Sequence, residues 1–337
     1  MSKSRVRFII VLVGSSLLLV QAGLILADLP RRQAGVWHLE KSGDWKALGS
    51  AEQDRFLLAV AEIKQLVNTG KTEAVARALN KLKKDFPEIA GPDLDAFIQA
   101  ELLFSQGKFV SASHAYEKFL TDFPQSWLCE AALDRQFAIA TAFLAGQKMP
   151  VLKIFKMRGY AQGEKIMERI GDRAGNAPIA LEAALGMVKS YEDRGRFNEA
   201  YFKWSQIQTQ WPTGQTGKDA LLGMGRCKHA AYKGPDYDTS GLVSAKSYYE
   251  NFRLRYPQDA QRFDMDKRIG QMDEQLAYKQ FSIGRYYQRT GSRQAAFFYF
   301  RMVIDNWPNT TAAEMAKRSM DKENLRVEKV KNEKGKP

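Results

Sequence analysis

Residues Gly107–Pro124 read GKFVSASHAYEKFLTDFP. Counting Gly107 as zero, large or apolar groups fall at +2 (Phe109), +9 (Tyr116), +12 (Phe119) and +16 (Phe123), with the small Ala112 at +5. Intervals of three and four residues trace one face of an α-helix. Pro124, at +17, cannot continue that helix and disfavours helical geometry in the residue before it. Gly107 suits the left-handed turn that ends a preceding helix. The stretch therefore predicts a helix, a glycine turn, and a second helix halted by proline.

The same frame recurs along the chain. Gly70 leads to Phe86-Pro87, Gly195 to Trp211-Pro212 and Gly291 to Trp307-Pro308, the proline lying seventeen residues after the glycine each time. Phe197, Ala200, Trp204 and Ile207 fill the inner positions after Gly195. Ala296, Phe300 and Val303 do so after Gly291, where Arg293 at +2 is an exception. Thr72, Val75, Leu79 and Leu82 form the first copy, and Ser240 replaces the glycine in a copy that closes at Tyr256-Pro257. Between Pro124 and Gly195, Trp127–Gly146 makes a first helix, and Gly163–Arg173 makes its partner, displaced by an insert. Small residues at −7, Ala100 and Gly284, are expected to face the small +5 residue and let the two helices approach closely. The count is about six helix–turn–helix pairs. Each is too small to bury its apolar face alone, so stacking into an all-α solenoid is expected.

Composition narrows the function classes. The chain has 337 residues, 45% hydrophobic and 26% charged, with a formal net charge of +13. Lys3, Arg5 and Arg7 supply three of those charges, leaving +10 on residues 28–337. This moderate excess suits an acidic partner or an anionic surface. No dense Lys/Arg block interleaved with aromatics is present, so nucleic acid is not expected as a partner. The motifs GxSxG, HExxH and Walker A are absent, and His38, His114 and His229 stand far apart. Asp264 and Asp266 point to different sides of a helix. Cys129 and Cys227 lack metal-ligand spacing and read as buried small apolar residues. No enzyme activity, cofactor, metal or small-molecule substrate is expected.

The chain begins with a basic segment, Met1–Arg7, followed by the uncharged Phe8–Ala27. That is an export signal, cleaved after Ala22 or Ala27, or an uncleaved membrane anchor. The expected organisation is leader or anchor (1–27), linker or N-terminal cap carrying Trp37 and Trp45 (28–54), solenoid (55–310), and a charged tail, frayed or disordered (311–337). The tail from Glu314 holds eight basic and five acidic residues. The insert Gln147–Tyr160 interleaves Lys148, Lys153, Lys156 and Arg158 with apolar residues. It is expected as a connector packed on the solenoid, or as a stretch lying on an anionic membrane surface. The expected location is the periplasm or cell envelope.

The turn glycine, +5 alanine, +9 aromatic and +17 proline resemble the tetratricopeptide repeat, over about residues 55–310. Within that class the aromatic-Pro closures, the large +12 residues, the segment MDEQLAYKQFSIGRYYQRTGSRQAAFFYFRMVIDNWPNT (Met272–Thr310) and the looped GMGRCKHAAYKGPDYD resemble the BamD (YfiO) family of outer-membrane assembly factors. The resemblance implies a non-enzymatic scaffold acting in assembly and insertion of outer-membrane β-barrel proteins. Its implied partners are a barrel-assembly protein of the Omp85 type and unfolded outer-membrane protein segments. It also implies that the first helices line a concave groove, which offers Phe97, Glu101 and Phe104 in the second copy and Phe281, Arg285 and Arg289 in the sixth. Members of that family are typically lipoproteins, whereas no cysteine follows the leader here. The second reading is a CpoB-like adaptor of cell division and peptidoglycan coordination. Such adaptors carry an N-terminal coiled coil, and residues 28–50 contain no heptads.

Overall fold

The structure is a computed structural model and describes residues 37–39, 45–47, 50–87, 90–151 and 155–334. Residues 1–27, expected as a leader or anchor, lie outside the described residues, as do the side chains of Trp37 and Trp45. The chain forms two compact units, residues 1–183 and 184–337. The first holds a short hairpin, β1 (Trp37–Leu39) with β2 (Trp45–Ala47), then α1 (Ser50–Asn68), α2 (Thr72–Asp85), α3 (Pro92–Ser105), α4 (Phe109–Asp122) and α5 (Cys129–Leu144). A second hairpin, β3 (Lys148–Val151) with β4 (Phe155–Arg158), precedes α6 (Tyr160–Ala174). Helix α7 (Pro178–Asp193) crosses the unit boundary. The second unit continues with α8 (Phe197–Gln210), α9 (Gly214–Ala230), α10 (Ser240–Arg255), α11 (Pro257–Arg262), α12 (Met265–Arg289), α13 (Arg293–Asn306) and α14 (Thr311–Lys334).

Adjacent helices pack as antiparallel pairs, and hydrogen bonding explains the frame. At Gly107, φ is +69°, the Gly107 amide donates to the Phe104 carbonyl at 2.9 Å, and the Lys108 amide donates to Leu103 at 3.0 Å. These two bonds satisfy carbonyls that a helix end would otherwise leave open, and they require the left-handed conformation that glycine adopts without a Cβ penalty. Gly70, Gly146, Gly195 and Gly291 carry the same bond pair. At the other end, the Phe123 amide still donates to Phe119 at 2.9 Å while its own φ and ψ of −127° and 58° have left the helix. Pro124 enforces that exit.

The inner positions form the core. Ala112, Tyr116 and Phe119 are buried in the first unit; Ala200, Trp204, Ile207, Ala296, Phe300 and Val303 are buried in the second. Each fully buried large side chain contributes roughly 1.5–3 kcal/mol by leaving water. The small −7 residue makes room for something larger than expected. A Cβ on Gly284 would meet the Phe300 ring, at +9, at 2.7 Å, so the glycine seats an aromatic ring.

The displaced third copy keeps its frame once the hairpin is set aside. Removing residues 147–158 puts Gly163 at +5, Met167 at +9 and Ile170 at +12, and all three are buried. The Gly159 amide donates to the Gln147 carbonyl at 2.9 Å, which closes the hairpin at its base and starts α6 where a direct turn would. The insert is thus a β-hairpin at the turn, β3 pairing antiparallel with β4.

The C-terminal segment begins as a helix packed on the last pair. Helix α14 begins three residues after Pro308, and Ala312, Ala313 and Ala316 are fully buried beside Phe281, Phe300 and Val303. Thr310 Oγ1 accepts from the Ala313 amide at 3.2 Å, and the Glu274 carboxylate accepts from the Thr311 and Ala312 amides at 2.7 and 2.9 Å. An N-cap threonine and a carboxylate at the positive helix end anchor this helix. Three small residues on one face supply the packing surface that overall charge concealed.

Candidate partner-binding face

The six residues offered by register divide by burial. Glu101 is 3% exposed, and its carboxylate receives Tyr116 Oη at 2.5 Å and Arg135 Nε and Nη2 at 2.8 and 2.9 Å. Arg135 reaches Asn68 Oδ1 at 3.3 Å and stacks over the Phe104 ring at 4.9 Å. Burial, and then the Glu101 charge, push the Tyr116 phenol well above its ordinary range, so it remains a donor. Glu101 therefore joins α3, α4 and α5 and does not face a partner. Phe97 is half-buried, with its ring against Tyr116 and Phe119. Phe104 is half-buried beneath Arg135. Phe281 is 5% exposed and packs on Phe300, so its ring belongs to the core. Arg285 and Arg289 are exposed.

The same device recurs in the second unit. Trp204, the +9 aromatic, donates through Nε1 to Glu192 at 2.8 Å, and Arg226 Nη2 holds that carboxylate at 2.8 and 3.0 Å. In both units an acid on a first helix takes a bond from its own pair's +9 ring and from an arginine of the next first helix. Cys227 Sγ also lies 3.4 Å from Glu192, and burial followed by that charge pushes its thiol up to about 12.

A surface cleft of ≈ 190 Å³ opens in the second unit, lined by Tyr232 and Pro235 from the α9–α10 loop and by Glu274, Gln275 and Tyr278 on α12. It lies beside two consecutive first helices, α9 and α12. The Tyr232 hydroxyl and Gln275 Oε1 are buried and have no hydrogen-bond partner among the described residues. Gln275 Nε2 lies 3.3 Å from His229 Nε2. Burial, with Arg268 adding to it, holds His229 below the usual imidazole range against the opposing Gln275 bond. Neutral His229 then accepts from the Gln275 amide, which leaves Oε1 as the free acceptor. Burial and Asp236 raise the Tyr232 phenol, so it keeps its proton. The cleft walls are mostly apolar, and one acceptor and one hydroxyl of its lining residues lie buried without a partner among the described residues.

Residues 151–336, more than half of the chain, match the YfiO family model, described as outer membrane lipoprotein. The chain belongs to the YfiO family. The YfiO match contains every residue of the cleft, and the fold is the tetratricopeptide solenoid its frame predicts, a protein-binding scaffold. No curated protein matches the chain. Among solved structures, PilW, a widely conserved type IV pilus biogenesis factor, is 13% identical over 80% of this chain and 99% of its own, with a TM-score of 0.28. The human IFIT1 dimer is 14% identical over 80% and 73%, with a TM-score of 0.23. The C-terminal part of a TPR repeat-containing protein from Cytophaga hutchinsonii is 13% identical over 76% and 98%, with a TM-score of 0.21. No helix among the described residues is long and apolar enough to cross a membrane, and none of their His, Cys, Asp and Glu groups cluster for a metal.

The cleft was not legible as a site beforehand. Its only signal was the loop KGPDYDTS, which interrupts the frame between α9 and α10. Tyr278 and Gln275 sit in an ordinary helical pattern.

Proposed function

We propose that this YfiO-family protein is an exported scaffold of the cell envelope that acts in assembly of outer-membrane β-barrel proteins. The observation that carries the reading is the family match over residues 151–336, which spans the cleft. Unfolded outer-membrane protein segments enter the cleft, where Gln275 Oε1 and the Tyr232 hydroxyl meet peptide amides and the Tyr278 and Pro235 walls take an apolar side chain. Exposed Arg285 and Arg289 on α12 extend partner contact in the second unit, and the accessible edges of Phe97 and Phe104 offer a separate contact in the first. A barrel-assembly protein of the Omp85 type is the resident partner. Residues 1–27 direct export and, if retained, anchor the chain in place of an acylated cysteine.

The test places a photocrosslinking amino acid at Tyr278 of the full-length chain in living cells. Adducts with an Omp85-type protein or nascent outer-membrane proteins are expected. Their absence, together with normal barrel-protein levels and defective constriction in a depletion strain, would support the CpoB-like division adaptor instead.

A further inference from the structure

We propose that the outer edge of β4 binds an acidic segment of another protein as a third β-strand. A hairpin standing alone presents unpaired amide and carbonyl groups along both outer edges, and each is a template for a further strand. The register here identifies which edge is open. Lys148 pairs with Arg158, Met149 with Met157, Pro150 with Lys156 and Val151 with Phe155. The bond from the Gly159 amide to Gln147 makes 147/159 a hydrogen-bonded pair. Antiparallel pairs alternate between bonded and non-bonded, so 149/157 and 151/155 are bonded inward and 148/158 and 150/156 turn their backbone groups outward. On β3 one of the two outward positions is Pro150, which has no N–H, so that edge is blunted. On β4 the outward positions are Lys156 and Arg158, and both retain donor and acceptor.

Charge selects the occupant. Residues 147–160 contain Lys148, Lys153, Lys156 and Arg158 and no acid. A second copy of the same hairpin would bring like charges into register, which opposes self-pairing, whereas an acidic strand is drawn in. Arg158 is exposed, with Nη1 3.0 Å from Tyr160 Oη, and Met157 is 60% exposed beside it. The partner is therefore an extended segment alternating Asp or Glu with aliphatic residues, held by main-chain bonds to Lys156 and Arg158. This site is independent of the cleft and of the outer-membrane reading.

The experiment uses the full chain and a fluorescein-labelled peptide alternating glutamate with valine, its lysine-for-glutamate counterpart, and phosphatidylglycerol vesicles. Lys156→Pro removes an outward amide while sparing every inward bond, and Lys156→Gln/Arg158→Gln removes charge alone. The glutamate peptide is expected to bind wild type, to bind Lys156→Pro at least tenfold more weakly, and to lose salt sensitivity with the Gln pair. An isotope-labelled peptide should show a strand-type amide band only when bound. Far-ultraviolet circular dichroism confirms that each variant is folded. No binding by wild type, equal binding of the lysine peptide, or unchanged affinity in Lys156→Pro would overturn the proposal. So would vesicle binding without peptide binding, since the cations would then serve a membrane surface.

Discussion

Glu101 Oε1 and Oε2 are held by Arg135 Nε and Nη2 at 2.8 and 2.9 Å, a paired fork between the first helices of two consecutive repeats. The Glu101 and Arg135 side chains are 3% and 16% exposed, and Tyr116 completes the carboxylate's bonding. Burying two charges costs desolvation, which the forked geometry and the Tyr116 bond offset.

Removing one partner uncovers that desolvation. Arg135→Met should lower unfolding free energy by about 3–5 kcal/mol, because Glu101 is left buried without its cation. Glu101→Leu/Arg135→Met should recover a large part of the loss. Urea unfolding followed by circular dichroism measures both; equal losses in the single and double variants would show that the pair itself supplies the stability.

Gly284→Ala tests the seat beneath Phe300. The added Cβ would meet ring carbons at 2.7 and 2.8 Å, and Phe300 is fully buried. Overpacking of about 1–3 kcal/mol should exceed the ~1 kcal/mol that alanine gains in helix propensity. A net fall in thermal midpoint is expected, and a rise would mean that the last pair repacks freely.

Thiol chemistry reports burial directly. With the Cys227 thiol pushed up to about 12, its thiolate fraction at pH 8 is roughly 10⁻⁴. The Cys129 thiol is also raised, by burial first, and its Sγ lies 3.2 Å from the Phe123 carbonyl. Ellman titration of the native protein at pH 8 should leave Cys227 unmodified, and guanidinium should release both thiols. Rapid native labelling of Cys227 would contradict the packing around Glu192.

The cleft predicts a trade between stability and binding. Tyr232→Phe deletes a buried hydroxyl that lacks a partner among the described residues, so stability should hold or rise by up to about 1 kcal/mol, whereas Gln275→Leu also removes the amide that His229 accepts and should cost about 0.5–1.5 kcal/mol. Crosslinking from position 278 should fall in the same variants. Destabilisation with unchanged crosslinking would assign both groups to internal structure.

Deleting Gln147–Arg158 joins Gly146 to Gly159 and leaves Gly163, Met167 and Ile170 at +5, +9 and +12. The third pair should remain helical, and the thermal midpoint should stay within a few degrees of wild type, since a ΔΔG near 1 kcal/mol moves a domain of this size by about 2–4 °C. Loss of cooperative unfolding would show that the hairpin helps to hold α5 on α6.

The amino-acid sequence alone determined the repeating unit. Glycine turns, inner ring positions and proline stops act over one or two helical turns, so spacing alone reveals them, and Gly107, Tyr116 and Pro124 do what their intervals require. Tertiary structure decided the rest, because burial depends on which helices meet. Glu101 shares its register position with exposed Arg285, and Phe281 shares its own with half-buried Phe97, yet contacts with Arg135 and Phe300 bury both. The same long-range packing turns Ala312, Ala313 and Ala316 into a docking face within a charged tail. It also brings the α9–α10 loop against α12 to make a cleft, an arrangement no local period encodes.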